Sequence, residues 1–298
     1  MSAILLRDTP VEEYDGIYVK REDLCAPEGA PPFSKIRGLV KHLEKLKREG
    51  YIGVSYVETS VSMAGWGVSW ACYHLGMKCR IFNPVYKKSI PLLEFHRQQW
   101  KRWEAELVDI PAGMAKVNYY IARKQTPKGY KLLPLGLPLS ETLEETARIA
   151  KECIKDFPTI VICVGSGTIT SGVWQATRPG QTVYGVMTRT GDISLKRKRI
   201  MNDYLSPFAY FQSSSKKGNL ELIDEGWEYT EACNTPVPFP CHPYYDAKAW
   251  DWLVKNRKWL AEPILFWNIG STGDFSLGGG INETSHSRDQ GPNNKPPK

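Results

Sequence analysis

No stretch of these 298 residues approaches the about 18 consecutive apolar residues that a membrane helix needs. The opening, MSAILLRDTPVEEYDG, has too short an apolar run for a secretory signal, so a cytoplasmic protein with no membrane partner is expected. Cysteine is thinly used: 7 residues, at 25, 72, 79, 153, 163, 233 and 241, odd in number and without a CxxC pair. That excludes a zinc ribbon or a redox dithiol, sets the expected metal complement at none, and fits a reducing compartment. There is no internal repeat, no Walker lysine and no G-x-G-x-x-G, since the third glycine of VGSGTITSGV falls at 172 rather than 170.

What is present is an ordinary globular composition, 42% hydrophobic, with 39 basic against 32 acidic residues and a formal charge of +7. A surplus of that size attracts anions in general and equally serves solubility. Apolar or β-branched runs alternate with segments of helical period, the pattern of βα units around a mostly parallel sheet. Residues 36–49 put Ile36, Leu39, Val40, Leu43 and Leu46 on one face, with Gly50 at the helix end. IGVSYV (52–57) follows as a strand. Residues 141–156 form a second amphipathic helix with Ser140 as its N-cap, and TIVICV (159–164) suits a buried parallel strand. The middle, roughly 80–125, is rich in aromatic and basic residues, with a strand at 79–82 and a helix near 91–106.

Two local features carry chemistry. VGSGTITSGV (164–173) follows the apolar run and precedes a helix expected near Val173; its glycines admit an anion to the backbone, and its hydroxyls sit near a helix N-terminus. Alone, such a turn is as readily a tight connection. FSKIRGL (33–39), after Pro31 and Pro32, sets Lys35 at a helix mouth, where neighbouring cations and dipoles lower the pKa as Schiff-base chemistry requires. Alone, a lysine is as readily a solvated charge.

In order and spacing, these segments resemble the fold type II (tryptophan-synthase-β-like) pyridoxal-phosphate enzymes, in the branch of aminocyclopropane-carboxylate deaminase and D-cysteine desulfhydrase, over roughly residues 8–275. YVKREDL (18–24) then PPFSKIRGL (31–39) matches that family's KREDL strand and G-G-N-K-x-R-K-L segment. The resemblance makes Lys35 the lysine that carries pyridoxal 5'-phosphate. VSMAGWGVSWACYHLG (61–76) matches the Q-S-N-H segment, which puts Ser62 on a serine of substrate binding or proton transfer. GSGTITSG fills the place of the phosphate loop, implying Gly165, Ser166, Gly167, Thr168 and Thr170 as phosphate contacts. HPYYDAKAW (242–250) is similar to D-P-V-Y-[TE]-G-K-A, setting Tyr245 on the active-site tyrosine and Asp246 on the acidic partner of the pyridine nitrogen. Met63 replaces the asparagine that meets the cofactor's phenolic oxygen, and Asn268-Ile269-Gly270-Ser271 replaces H-T-G-G.

The resemblance implies a two-lobed α/β parallel-sheet fold: a larger cofactor-binding lobe from 1–50 and 125–277, a smaller inserted lobe at 51–124, and a flexible tail at 278–298, where composition turns to Gly, Asn, Ser and Pro. Asn282-Glu283-Thr284 there is read as a chance match to a glycosylation acceptor. The implied activity is Cα-carbanion chemistry on an amino acid, of the deamination or elimination kind, in a homodimer. A second reading is decarboxylation of an amino acid attached to a larger anionic carrier such as a modified nucleotide in DNA; a third is a non-catalytic binding protein on the same scaffold. Asp246 favours chemistry that needs a protonated ring, yet it equally suits a solvent-facing helix start. Tyr245 is one of 15 tyrosines and equally a core residue. HRQQWKRW (96–103) and LKRKR (195–199) combine aromatic and basic residues as nucleic-acid surfaces do, making nucleic acid a second candidate partner beside solvated faces.

Overall fold

The computed structural model describes residues 4, 6–88, 90–204, 217–273 and 275. The segment expected as a tail, 278–298, and Asn282-Glu283-Thr284 lie outside them. Ten strands form two sheets among the described residues. The larger runs β1 (Val11–Tyr14), β2 (Ile17–Arg21), β10 (Ile264–Asn268), β7 (Thr159–Val164), β8 (Thr182–Met187), β9 (Asn219–Ile223), in that spatial order. Every pairing but β1 with β2 is parallel. The smaller runs β5 (Glu106–Pro111), β4 (Lys78–Val85), β3 (Gly53–Val57), β6 (Tyr130–Leu132), all parallel. Parallel neighbours need crossovers, and the helices α1 (Ile36–Arg48), α2 (Ala64–Leu75), α3 (Pro91–Arg102), α4 (Ala115–Gln125), α5 (Ser140–Cys153), α6 (Thr168–Gln175), α7 (Ile193–Lys198) and α8 (Asp246–Asn256) supply most of them.

The apolar face of α1 is buried as its period predicts, and Gly50 ends the helix at a φ of +90°. All six residues of β7 are buried, which explains a strand without alternation. Ser140 is a correction. It is the first helical residue, Leu139 takes the cap position, and the Ser140 hydroxyl donates to Glu141 at 2.8 Å instead of accepting a backbone N–H. The helix after the glycine loop is a second correction: it starts at Thr168, five residues before Val173, because Gly167 at φ +94° turns the chain straight into it.

The 96–103 segment is a third correction. Trp100 and His96 are buried in the core side of α3, Arg97 binds Asn83 Oδ1 at 2.9 Å and the Pro84 carbonyl at 3.1 Å, and Trp103 packs on Tyr73 and His74. Its aromatic rings are therefore packing, not a stacking platform.

Candidate active site

Lys35 occupies the cap position of α1. The turn before it is tied to the end of β10: Ser34 N–H donates to the Ile269 carbonyl at 2.9 Å, and Ser271 N–H to the Pro32 carbonyl at 3.0 Å. The KREDL segment locks the same corner from below. Arg37 of α1 binds Glu22 at 2.9 Å, Arg21 binds Asp23 at 2.8 Å, and Asn268 donates to Asp23 at 2.9 Å, all buried. Removing one partner of such a buried pair costs about 3–5 kcal/mol, so the start of α1 is held firmly.

Lys35 Nζ points at the opposite wall, donating to the Gly136 carbonyl at 2.8 Å and to Ser166 Oγ at 3.1 Å. Burial lowers its pKa to about 8, which leaves a larger neutral, nucleophilic fraction near neutral pH than a surface lysine has. Ser166 belongs to the turn Gly165–Gly167 between β7 and α6. Its hydroxyl meets Thr168 Oγ1 at 2.9 Å, and Thr168 Oγ1 donates to the Gly136 carbonyl at 3.2 Å. A Cβ on Gly167 would stand 2.8 Å from the Ile200 side chain and one on Gly136 2.6 Å from the Ser166 Cβ, so each neighbour packs this close only because the residue is glycine.

A cavity of about 190 Å³ opens between these groups. Lys35, Ser62, Gly165, Ser166, Gly167, Thr168, Thr170, Tyr245 and Asp246 all line it. Thr170 differs from the rest of its loop: it sits inside α6, its hydroxyl directed back to the Cys163 carbonyl at 3.5 Å. Gly172 faces away and packs on α5, where a Cβ would lie 2.6 Å from Thr146. Asp246 opens α8 at 1% exposure, which removes the solvent-facing reading. Its Oδ1 accepts the Ile269 N–H at 2.8 Å and the Cys163 thiol at 3.3 Å, and burial raises its pKa to about 7. The Tyr245 ring lies against Gly165, and its hydroxyl meets Tyr229 at 2.7 Å, which meets Thr59 Oγ1 at 2.8 Å. Burial holds both phenols neutral.

Sequence reasoning did not single out Tyr229, Thr59, Gly136 and His242 of this lining: Tyr229 and Thr59 stand in loops without periodicity, while Gly136 and His242 lie in family-like segments but were given no role. Lys196 was noticed only as part of a basic run. It donates to the Gly165 carbonyl at 2.6 Å, behind the glycine turn, with its pKa lowered to about 8 by burial and by Arg199 and Arg189.

A primary amine of lowered pKa, a glycine turn at the start of a helix and a buried carboxyl, together in one cavity of a two-sheet α/β fold, fit pyridoxal phosphate: the turn brings backbone N–H groups and the hydroxyls of Ser166 and Thr168 to a helix N-terminus that lines the cavity. The pyridoxal-phosphate dependent enzyme family matches residues 4–203, and the chain belongs to it. It is therefore a pyridoxal-phosphate enzyme of fold type II. A glycyl-dTMP PLP-dependent decarboxylase of Pseudomonas phage M6 is 35% identical over 285 residues, spanning 90% of this chain and 100% of that protein. Among solved structures, an ACC deaminase homologue matches with a TM-score of 0.72 at 20% identity over 90% of each chain. The processed form of threonine deaminase isoform 2 from Solanum lycopersicum matches with a TM-score of 0.62 at 17% identity, over 91% of this chain and 86% of that one. At such identities these structures speak to the fold. No helix among the described residues is long and apolar enough to cross a membrane.

Proposed function

We propose that this enzyme decarboxylates an amino acid carried on a thymine nucleotide. The observation that carries the reading is the 35% identity to the glycyl-dTMP decarboxylase along that protein's whole length. Lys35 is assigned as the attachment lysine, Gly165–Thr168 with Thr170 as the phosphate turn, and Asp246 as the partner of the ring nitrogen. Bound there, the cofactor supplies an electron sink for the pair left when a bond to the substrate α-carbon breaks. Asp246 keeps a proton at the ring nitrogen, and the Ile269 N–H and Cys163 thiol hold that carboxyl in place. Tyr245 and Tyr229 give the cavity a neutral hydroxyl wall, and Ser62, at the mouth of α2, faces the substrate side.

A nucleotide brings a phosphate of its own, and the cluster beside the glycine turn suits it. Lys196 lies against Gly165, Arg189 stands 6.0 Å from the ring centroid of Tyr229, and none of Lys196, Arg189 and Arg199 forms an ion pair among the described residues. The free thiols support a reducing, cytoplasmic setting. Deamination or elimination on a free amino acid is the second reading, favoured by the retained Tyr245 and Asp246. Incubating the pyridoxal-phosphate-loaded protein with glycyl-dTMP separates the two. Carbon dioxide and an aminated nucleotide are expected; ammonia without carbon dioxide, or conversion only of free amino acids, would reverse the assignment.

A further inference from the structure

Glu58 follows β3 and is 1% exposed, yet it does not line the cavity. Its carboxyl lies just behind the cavity wall made by Thr59, Ser62, Met63 and Ala64. One oxygen accepts the Thr59 N–H at 2.8 Å, the other accepts the Gly65 N–H, and Ser62, whose Oγ accepts the Ala64 N–H at 3.1 Å, stands near enough to the same carboxyl to lower its pKa. A Cβ on residue 65 would stand 2.6 Å from Glu58 Oε2, so only glycine lets α2 begin against this carboxyl. The N–H groups at the start of α2, which elsewhere would welcome an anion, are thus partly filled from inside the protein.

The groups that face Glu58 are Lys35 from α1, Tyr56 from β3, Tyr86 after β4, and Tyr229 and Tyr245 from the segment around the start of α8. Lys35 is the one cation of that set, and it forms no ion pair with Glu58. An ionised carboxylate buried without a paired cation is costly. Burial accordingly raises the pKa of Glu58 to about 8. In the acid form the carboxyl carries a proton that Ser62 Oγ can accept, and the Ser62 hydroxyl hydrogen can then turn toward the cavity that Ser62 lines.

We infer that Glu58 is an internal proton store that works through Ser62, supplying the proton which replaces the lost carboxylate on the substrate α-carbon. The inference rests on the decarboxylase reading. The bond from the α-carbon to the carboxylate breaks, carbon dioxide departs without the electron pair, and that pair forms a new C–H bond with the hydroxyl hydrogen of Ser62. Ser62 takes the proton of Glu58, and water reprotonates Glu58. The sum is one proton consumed for each carbon dioxide released, with no change in oxidation state to balance. Glu58 does not touch substrate, so it is a positioning residue in this scheme, and Ser62 is the catalytic one.

The test compares wild-type, Glu58→Gln, Glu58→Asp and Ser62→Ala proteins, each loaded with pyridoxal phosphate. Infrared titration should show a protonated-carboxyl band in the wild type that disappears as pH rises through about 8 and is missing in Glu58→Gln. Glu58 is charged above that pH, so carbon dioxide release from glycyl-dTMP by the wild type should fall on the alkaline side. Glu58→Gln and Ser62→Ala should be slower by roughly 10²-fold, as for loss of a positioned proton donor, and should lack that limb. Glu58→Asp should recover the limb in part. No band in the wild type, a band that survives in Glu58→Gln, or a slower variant with an unchanged limb would overturn the inference, the last pointing to a mere staple of the loop. Absence of carbon dioxide from the wild type at every pH is a different failure, that of the decarboxylase reading itself.

Discussion

A carboxyl group at 1% exposure such as Asp246 stays neutral, or keeps a cationic partner, or is held by donors. Asp246 has two donors, Ile269 N–H and Cys163 S–H, and still sits near pKa 7. A protonated ring nitrogen facing it would pull that value down again and keep the pair charged. Asp246→Asn retains an oxygen for Ile269 N–H and the same volume, so the fold should hold. Turnover should drop by roughly 10²-fold or more, and the visible absorbance of bound cofactor should change, because the ring loses its proton partner. An Asn variant with wild-type rate and spectrum would make Asp246 a structural buried acid. Lys35, Ser62, the 165–168 turn, Tyr245 and Asp246 were legible in the sequence because each sits in a segment whose order and spacing follow a known pattern. Glu58 was not legible: a lone Glu after an apolar run carries no periodicity, and its meaning comes from Gly65 and Ser62 folding back over it.

At the level of elements, helices with one apolar face were readable and helices buried on all sides were not. The face of α1 follows from its period, while all eight residues of α6 are buried, which hides its start among Ser, Thr and Gly of weak helix propensity. Tertiary packing decides there, and glycine is the means. Gly38 of α1 abuts the Thr142 backbone of α5, and Gly172 of α6 abuts Thr146 and the Leu143 carbonyl of the same helix. On an exposed helix, Gly to Ala would be stabilising by up to about 1 kcal/mol. At position 172 the added Cβ would lie 2.6 Å from Thr146 and 3.0 Å from the Leu143 oxygen. Overpacking of that kind typically costs about 1–3 kcal/mol, so Gly172→Ala should lower the denaturant midpoint despite the better propensity. A gain in stability would mean that α5 and α6 separate easily and that the glycine serves another end.

Across the whole molecule, the alternation of strands and helices made the parallel α/β architecture readable, but not where one sheet stops. The smaller sheet includes β6, paired with β3, so the lobe expected to end at 124 is now proposed to end after Leu132. The +7 charge reads differently once folded, because many cations have partners: Arg80 with Glu106 at 2.7 Å, Arg257 with Glu262 at 3.1 Å, Arg97 with Glu94 and Asn83. What remains beside the cavity is the compact group of Lys196, Arg189 and Arg199. Three cations can neutralise three phosphates at most. With duplex DNA that bears the glycyl-thymine nucleotide, the logarithm of affinity should therefore fall with the logarithm of salt at a slope no steeper than roughly −2.7, taking about −0.9 for each phosphate contact. Arg189→Ala should reduce that slope by about 0.9, since Arg189 stands over Tyr229 at the cavity wall. A slope near zero would show that the cluster meets no phosphate. A much steeper one would show that further cations join the contact, with Lys101 and Arg102, exposed on α3, the next pair to test.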